Sequence, residues 1–287
     1  MTRQLRIRAL SSRFEPLSAV GEDPARSRLG VVRFAGTSFN PVLRDGHPEL
    51  TVHLAEDERR GFAEVWTTSR GVESGEHKAI TYAHDGEYLF CAGRIPPTDE
   101  HTYAGRLAFR AALELAGKLG YHHVFRMWNY LQDLNPRNYR EFLLGQAEAF
   151  AKRPVTWSGL PAATVVGSLG GGIAFHFLAC RTGTPVTLIS PSGARGVYAH
   201  GRLFFTAPSL DDAEELMSAA NLAHWGVDDG FGLHDITTLK AYARQPGELS
   251  PARFDCETRL DRETSVAFLQ ATLLPEERDI EFEGVAG

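Results

Sequence analysis

At 287 residues the chain has room for one large domain or two modest ones, and 43% hydrophobic with 23% charged residues is a globular composition rather than a disordered one. The 36 acidic and 30 basic residues leave a formal charge of −6, which argues against a nucleic-acid or anionic-membrane surface as the main partner. The charged start Met1-Thr-Arg-Gln-Leu-Arg-Ile-Arg lacks the apolar stretch of a secretory signal, and the longest apolar run, Ile173 to Cys180, is too short to span a bilayer, so the cytoplasm is the expected address.

In chain order, the first 25 or so residues mix Ser, Pro, Gly and charges and read as an irregular lead-in. Gly30 to Gly36 is the first strand candidate. Ala63 to Thr67 and Ala79 to Tyr82 alternate apolar and polar residues, the pattern of half-buried strands, with the turn-like Ser69 to Gly75 between them. Asp85-Gly86 is a tight-turn signal leading into a strand at Tyr88 to Ala92. A helix is predicted over Tyr103 to Leu119, with Leu107, Ala111, Leu115 and Leu119 as its apolar stripe and Gly120 as its stop. His123 to Trp128 reads as a strand, and Asn138 to Phe150 as a second helix with Tyr139, Phe142, Leu143 and Phe150 inward. Pro161 to Val166 and Ile173 to Cys180 form two strands around Gly170-Gly171-Gly172, read as a Gly-rich hairpin.

The order then recurs. Gly201 to Ala207 echoes Gly86 to Ala92, a helix from Leu210 to Trp225 answers the first helix, and Leu239 to Arg244 answers the strand that carries Arg126. Val266 to Ala271 and Asp279 to Ala286 close the second copy. This predicts an α/β chain in two units, 1–186 with its lead-in and 187–287.

Glu281 and Glu283 alternate on one strand and so share a sheet face. In a cleft, burial would raise a carboxyl pKa and fit it to donate a proton or orient water; on an outward face both would be solvated charges. Arg126, between Phe125 and Met127, is a charge on an apolar strand. Its planar fork suits a substrate carboxylate or an internal salt bridge, for instance to Asp133 or Glu141. Trp128, Asn129 and Tyr130 could line the same pocket or pack the core, and Tyr139 opens the second helix, where anions can approach. Cys91, Cys180 and Cys256 form no CxxC pair and are expected buried and reduced. The 11 histidines make no HExxH, no HxH and no Cys/His ligand pair, and His176 reads as a satisfied core residue, so no metal is expected.

Two stretches, Pro161 to Gly167 and Ile280 to Ala286, resemble the closing strands of the RidA (YjgF/YER057c/UK114) superfamily. Arg106-Leu107-Ala108-Phe109-Arg110 through Phe150 resembles its chorismatase branch, most specifically in Arg126-Met127-Trp128-Asn129-Tyr130-Leu131 and Tyr139-Arg140-Glu141-Phe142, and Val266 to Ala271 fits as well. The resemblance covers about Glu64 to the C-terminus. It implies two RidA-like (chorismate-mutase-like) α/β units, each a mixed sheet with helices on one face, assembling around a threefold axis as a homotrimer. It implies hydrolysis or elimination on chorismate or a related small carboxylated substrate in secondary metabolism, with neither metal nor cofactor. Glu281, then Glu283, would be the catalytic acids, and Arg126, Asn129, Tyr130 and Tyr139 would hold the substrate.

The chain departs from that pattern in three places. The Tyr/Pro/Arg/Ser-rich segment expected before the second unit's first strand is missing, the chain passing from Ser190 to Arg195 straight into Gly196, which leaves Arg195 as a substitute anion binder. No cysteine follows Cys256 where one is expected, and Ala163 replaces the arginine of a Pro-Ala-Arg motif. A different natural-product intermediate, turned over by a hydrolase or tailoring enzyme, and a non-catalytic ligand-binding member of the family therefore stay open beside the first reading.

Overall fold

The computed structural model describes residues 10–20, 27–54, 61–152, 161–183, 185–222 and 230–287. The charged start and the end of the predicted helix at Trp225 lie outside them. No helix among the described residues is long and apolar enough to cross a membrane.

The described residues form three mixed sheets and four helices, one sheet more than the two units predicted. The first sheet comprises β1 (Leu10–Pro16), β2 (Ser27–Ala35), β3 (Phe39–Arg44), β4 (His47–His53) and β5 (Phe62–Thr68), in the order β1-β5-β2-β4-β3. Part of the expected irregular lead-in is thus a strand: β1 pairs antiparallel along the whole of β5, from Leu10 opposite Thr68 to Pro16 opposite Phe62. That pairing partner is remote in sequence, so nothing local to Leu10–Pro16 announces it.

The second sheet contains β6 (Glu73–His77), β7 (Ile80–His84), β8 (Tyr88–Ile95), β9 (His123–Gln132), β10 (Ala162–Ser168) and β11 (Ile173–Cys180), with α1 (His101–Lys118) and α2 (Pro136–Ala151) on one face. The third contains β12 (Val186–Ile189), β13 (Arg195–Ala199), β14 (Arg202–Ala207), β15 (Ile236–Ala243), β16 (Ser265–Gln270) and β17 (Ile280–Ala286), with α3 (Leu210–Leu222) and α4 (Leu249–Arg259) on one face. Their strand orders, β10-β9-β11-β8-β7-β6 and β16-β15-β17-β14-β13-β12, are the same path traced twice.

The helices show why local pattern and packing can diverge. α2 starts where Asn135 accepts from the backbone N–H groups of Arg137 and Asn138, with Pro136 in the first turn. α1 buries its small face, Ala104, Ala108, Ala112 and Ala116 with Phe109, together with Leu115 of the predicted stripe, whereas Leu107 of that stripe is exposed. Close approach to α2 selects this face: a Cβ on Gly145 would stand 2.1 Å from the Thr102 carbonyl, and one on Gly105 would stand 2.7 Å from that of Phe142.

The three sheets turn their other faces to one shared core. It holds Leu29, Phe34, Leu50 and Trp66 from the first sheet, Phe90, Trp128, Tyr130 and Val166 from the second, and Phe204, Tyr242, Leu269 and Val285 from the third. Hydrogen bonds join the sheets in pairs. Arg94 donates to the carbonyls of Phe39 and Thr51, the Gly167 N–H to Thr272 O at 2.9 Å, and the Phe14 N–H to Ser265 Oγ at 3.1 Å. β5 is covered on both sides, by the shared core at Trp66 and by Leu17 and Val20 over Ala63 and Val65, and Glu64, expected on a half-buried strand, is fully buried.

Candidate active site

β9 and β15 hold the same place in their sheets, and each turns one basic residue into the shared core: Arg126, and Lys240 between Leu239 and Ala241. Glu283 on β17 lies opposite Lys240 in register. Its Oε1 accepts from Trp128 Nε1 and lies 2.7 Å from Lys240 Nζ; its Oε2 lies 3.2 Å from Arg126 Nη2 and 3.4 Å from the Tyr242 hydroxyl. Lys240 Nζ also reaches Glu64 Oε2 on β5 at 2.8 Å, so two cations and two carboxylates link all three sheets. None of the four exposes more than 2% of its surface except Glu283, at 3%, and charges so buried persist when paired and hydrogen-bonded.

Burial pushes the Glu283 carboxyl upward, but Lys240 and Arg126 outweigh it and hold the group below the usual carboxylate range. Glu64 goes the other way: burial raises it, Lys240 offsets part of the rise, and the Glu283 charge adds to it. Trp128 is sandwiched within this cluster, with the Arg126 guanidinium 4.7 Å and the Lys240 ammonium 5.2 Å from its ring and His176 stacked at 4.3 Å. His176 is not the satisfied core residue expected, because neither ring nitrogen has a hydrogen-bond partner among the described residues. Burial, with Lys240 and Arg126 nearby, drives its pKa well down and keeps the ring neutral.

A second constellation forms where the second and third sheets meet. Glu281 shares the inward face of β17 with Glu283, as the two-residue period requires, and is buried rather than solvated. Arg278, in the loop between β16 and β17, places Nη1 2.5 Å from Glu281 Oε2; the side chains are 28% and 8% exposed, so the cation sits on the solvent side of the pair. Burial raises the Glu281 pKa, Arg278 counters part of the rise, and Glu283 adds to it. Tyr139, half-buried on α2, feels the charges of Glu281, Arg195 and Arg278, and burial followed by Glu281 raises its pKa. The loop is anchored by Arg244, whose guanidinium donates to the carbonyls of Leu273, Pro275 and Arg278 at 2.9, 3.0 and 2.9 Å.

The candidates from the sequence therefore separate into two groups. Tyr139 lies within electrostatic reach of both Glu281 and Arg195, with Arg195 exposed at the start of β13. Arg126, Glu283 and Tyr130 lie in the core beneath, where Arg126 forms an internal salt bridge with Glu283 rather than with Asp133 or Glu141. Glu141 pairs instead with Arg137 at 2.9 Å. Asn129 faces the other side of β9, between Met127 and Leu131 on the helix side, and its Nδ2 donates to Thr164 O. Sequence reasoning missed Lys240, Glu64, Tyr242 and Arg278. The signal that singled out Arg126, a charge amid apolar strand residues, applies equally to Lys240; Arg278 stands in a charged loop and carries no such mark.

A cavity of about 460 Å³ lies elsewhere, beside α1 and β8, with Ile80, Arg94, Leu107 and Phe175 in its wall and none of these candidates. Among the described residues no three His, Cys, Asp or Glu side chains converge as metal ligands.

The family model described as "Chorismatase FkbO/Hyg5-like, N-terminal" matches residues 64–179. Over 97% of both chains, the sequence is 34% identical to a 3-hydroxybenzoate synthase of Streptomyces hygroscopicus. It is 30% identical to a chorismatase of Streptomyces rapamycinicus, covering 95% of this chain and 96% of that one. A crystal structure of a chorismatase superposes with a TM-score of 0.87 at 28% identity, covering 99% of this chain and all of the other.

Proposed function

The chain belongs to the FkbO/Hyg5-like chorismatase family and is a chorismatase-like enzyme, and from this premise we propose that it cleaves chorismate, or a closely related small carboxylate, with Glu281 as its acid. Chorismate joins a pyruvate enol to a cyclohexadiene acid through an ether oxygen. Proton delivery to the enol methylene carbon creates an oxocarbenium centre. Water adds there, a proton returns to the carboxylate, and the carbon–oxygen bond breaks to release pyruvate and the ring acid. A carboxyl that is protonated once the anionic substrate is bound is what this needs.

The observation that carries the reading is Glu281: buried, raised in pKa, paired with the more exposed Arg278, and with Tyr139 of α2 within reach of its charge and of those of Arg195 and Arg278. Arg195 and Tyr139 supply the substrate-facing positive charge and hydroxyl. Arg126 and Glu283 act from below as a fixed ion pair. Asn129, turned to the helix side, takes no part in this reading.

The same reading treats the second and third sheets as RidA-like units in a cytoplasmic enzyme. In this reading the residues of the site come from one chain, and a homotrimer would assemble complete sites. Support comes from the repeated strand order and from Tyr139 on one unit feeling the charge of Glu281 on the other.

The test is to incubate purified protein with chorismate, follow pyruvate and identify the ring product by mass. Pyruvate release that falls by roughly 10²- to 10⁴-fold in Glu281→Gln is the expected result. No release at high enzyme concentration overturns the proposal.

A further inference from the structure

Resting on the reading of Glu281 as the acid, we propose that Arg278 is a substrate-responsive counter-ion: it pairs with Glu281 in the free enzyme and is drawn off by a carboxylate of the substrate, which leaves Glu281 to take up the proton it later delivers. The pair is asymmetric. The carboxyl is buried in β17, whereas the guanidinium is more than a quarter exposed and open to an arriving anion. The Arg278 carbonyl accepts from both Nε and Nη2 of Arg244, at 3.2 and 2.9 Å, and the Asp279 carbonyl from the Arg244 N–H at 2.8 Å. The Arg278 N–H donates to the Pro275 carbonyl at 3.0 Å, so the backbone is held on both sides of the switch and the Arg278 side chain is what remains to swing. Its planar fork can exchange one carboxylate for another with little loss of hydrogen bonding.

What happens to Glu281 when Arg278 leaves follows from the groups that face it. Glu283 on its own strand remains ionised, held by Lys240 and Arg126, and opposes a second negative charge on the same face. Tyr242, opposite Glu281 in register on β15, and Tyr139 on α2 are uncharged near neutral pH, with pKa values raised by burial. Arg126 is committed to Glu283. A buried carboxylate without its partner cation takes up a proton. In this step one ion pair is exchanged for another and one proton passes from a solvent or buffer acid to Glu281: the acid's bond to hydrogen breaks, the carboxyl O–H bond forms, and no other covalent bond changes.

The prediction is proton uptake linked to carboxylate binding. Isothermal titration of the full-length protein with 3-hydroxybenzoate, at neutral pH in two buffers of different ionisation enthalpy, should show uptake of the order of one proton. Arg278→Gln should bind more weakly, by roughly tenfold, and lose the uptake, because its Glu281 is already protonated before binding. Arg278→Lys should retain part of both, and Glu281→Gln should bind with no uptake. With chorismate, Arg278→Gln should raise KM more than it lowers kcat and move the alkaline limb of kcat/KM upward by about one pH unit, which a purely structural role would not do. Wild-type binding without uptake, failure to bind at millimolar concentration, or full uptake in Arg278→Gln overturns the proposal. Uptake without pyruvate release from chorismate would instead sink the functional reading and leave the counter-ion standing.

Discussion

Glu281 and Glu283 are chemically identical and two residues apart on one strand face, yet their environments drive them in opposite directions. Glu283 has two cations, an indole N–H and a phenol around it; Glu281 has Arg278, more exposed than itself. The consequences for stability have opposite signs. Glu283, lowered in the fold, contributes stability that is present above its unfolded value, taken as 4.5, and is lost as pH falls through its folded value. Glu281, raised in the fold, contributes stability that is full below 4.5 and is lost as pH climbs through its folded value. Replacing Glu281 by its neutral isostere removes that second loss. Thermal melts of wild type and Glu281→Gln should accordingly coincide most closely at acid pH, the variant gaining relative Tm as pH rises above about 4.5. A Tm difference that shrinks as pH rises would show that Arg278, not burial, dominates the site. The period-two spacing of this pair is legible in the sequence. Its division of labour is not, because the groups responsible, Arg126, Lys240 and Trp128, come from other strands that only the folded sheets bring alongside.

At the scale of elements, corresponding connections in the two repeated sheets have taken different tasks. β10 and β11 were expected to form a hairpin around Gly170-Gly171-Gly172, but β9 lies between them, so the connection crosses the end of β9 instead. Gly172 donates to the Gln132 side chain at 2.9 Å and has φ +73°, and a Cβ there would stand 2.3 Å from the Ile95 carbonyl. The corresponding crossing over β15 is the longer loop that carries Arg278. Gly172→Ala should therefore cost at least about 1–3 kcal/mol in denaturant unfolding, from a left-handed conformation combined with a backbone clash. A neutral result would mean that the crossing can shift away from Ile95. Both helices of the first repeat and the first helix of the second can be read from the sequence, because helical spacing and turn residues are local signals, whereas α4 (Leu249–Arg259) and the outer strands β6, β12 and β13 are not read there. The buried side of α1 is legible only in part: Leu115 is buried and Ala111 and Leu119 pack at the core's edge, but the alanine face that meets α2 at Gly105 and Gly145 leaves Leu107 outside. β1 is not legible, since its pairing with β5 is a long-range event.

For the molecule as a whole, the first sheet is no appendage to the other two. It supplies Phe34, Leu50 and Trp66 to the shared core and Glu64 to the four-charge cluster, and β1 is tied to the third sheet through Ser12–Thr238 and Phe14–Ser265. Three sheets that share one core and one ionic centre have no seam along which to melt separately, so calorimetric unfolding should be a single cooperative transition. Lys240 is the residue whose ammonium touches carboxylates of both the first and third sheets. Lys240→Met removes that cation and leaves Glu64 and Glu283 buried with Arg126 alone to offset them, at an expected cost of about 3–5 kcal/mol. Adding Glu64→Gln to Lys240→Met takes away one of the stranded charges, leaves the Arg126–Glu283 pair balanced, and should return part of that loss. Urea titration of the single and double variants measures the coupling directly. If the double variant is no more stable than Lys240→Met alone, the cluster is not what binds the three sheets, and their cohesion resides in the apolar contacts around it.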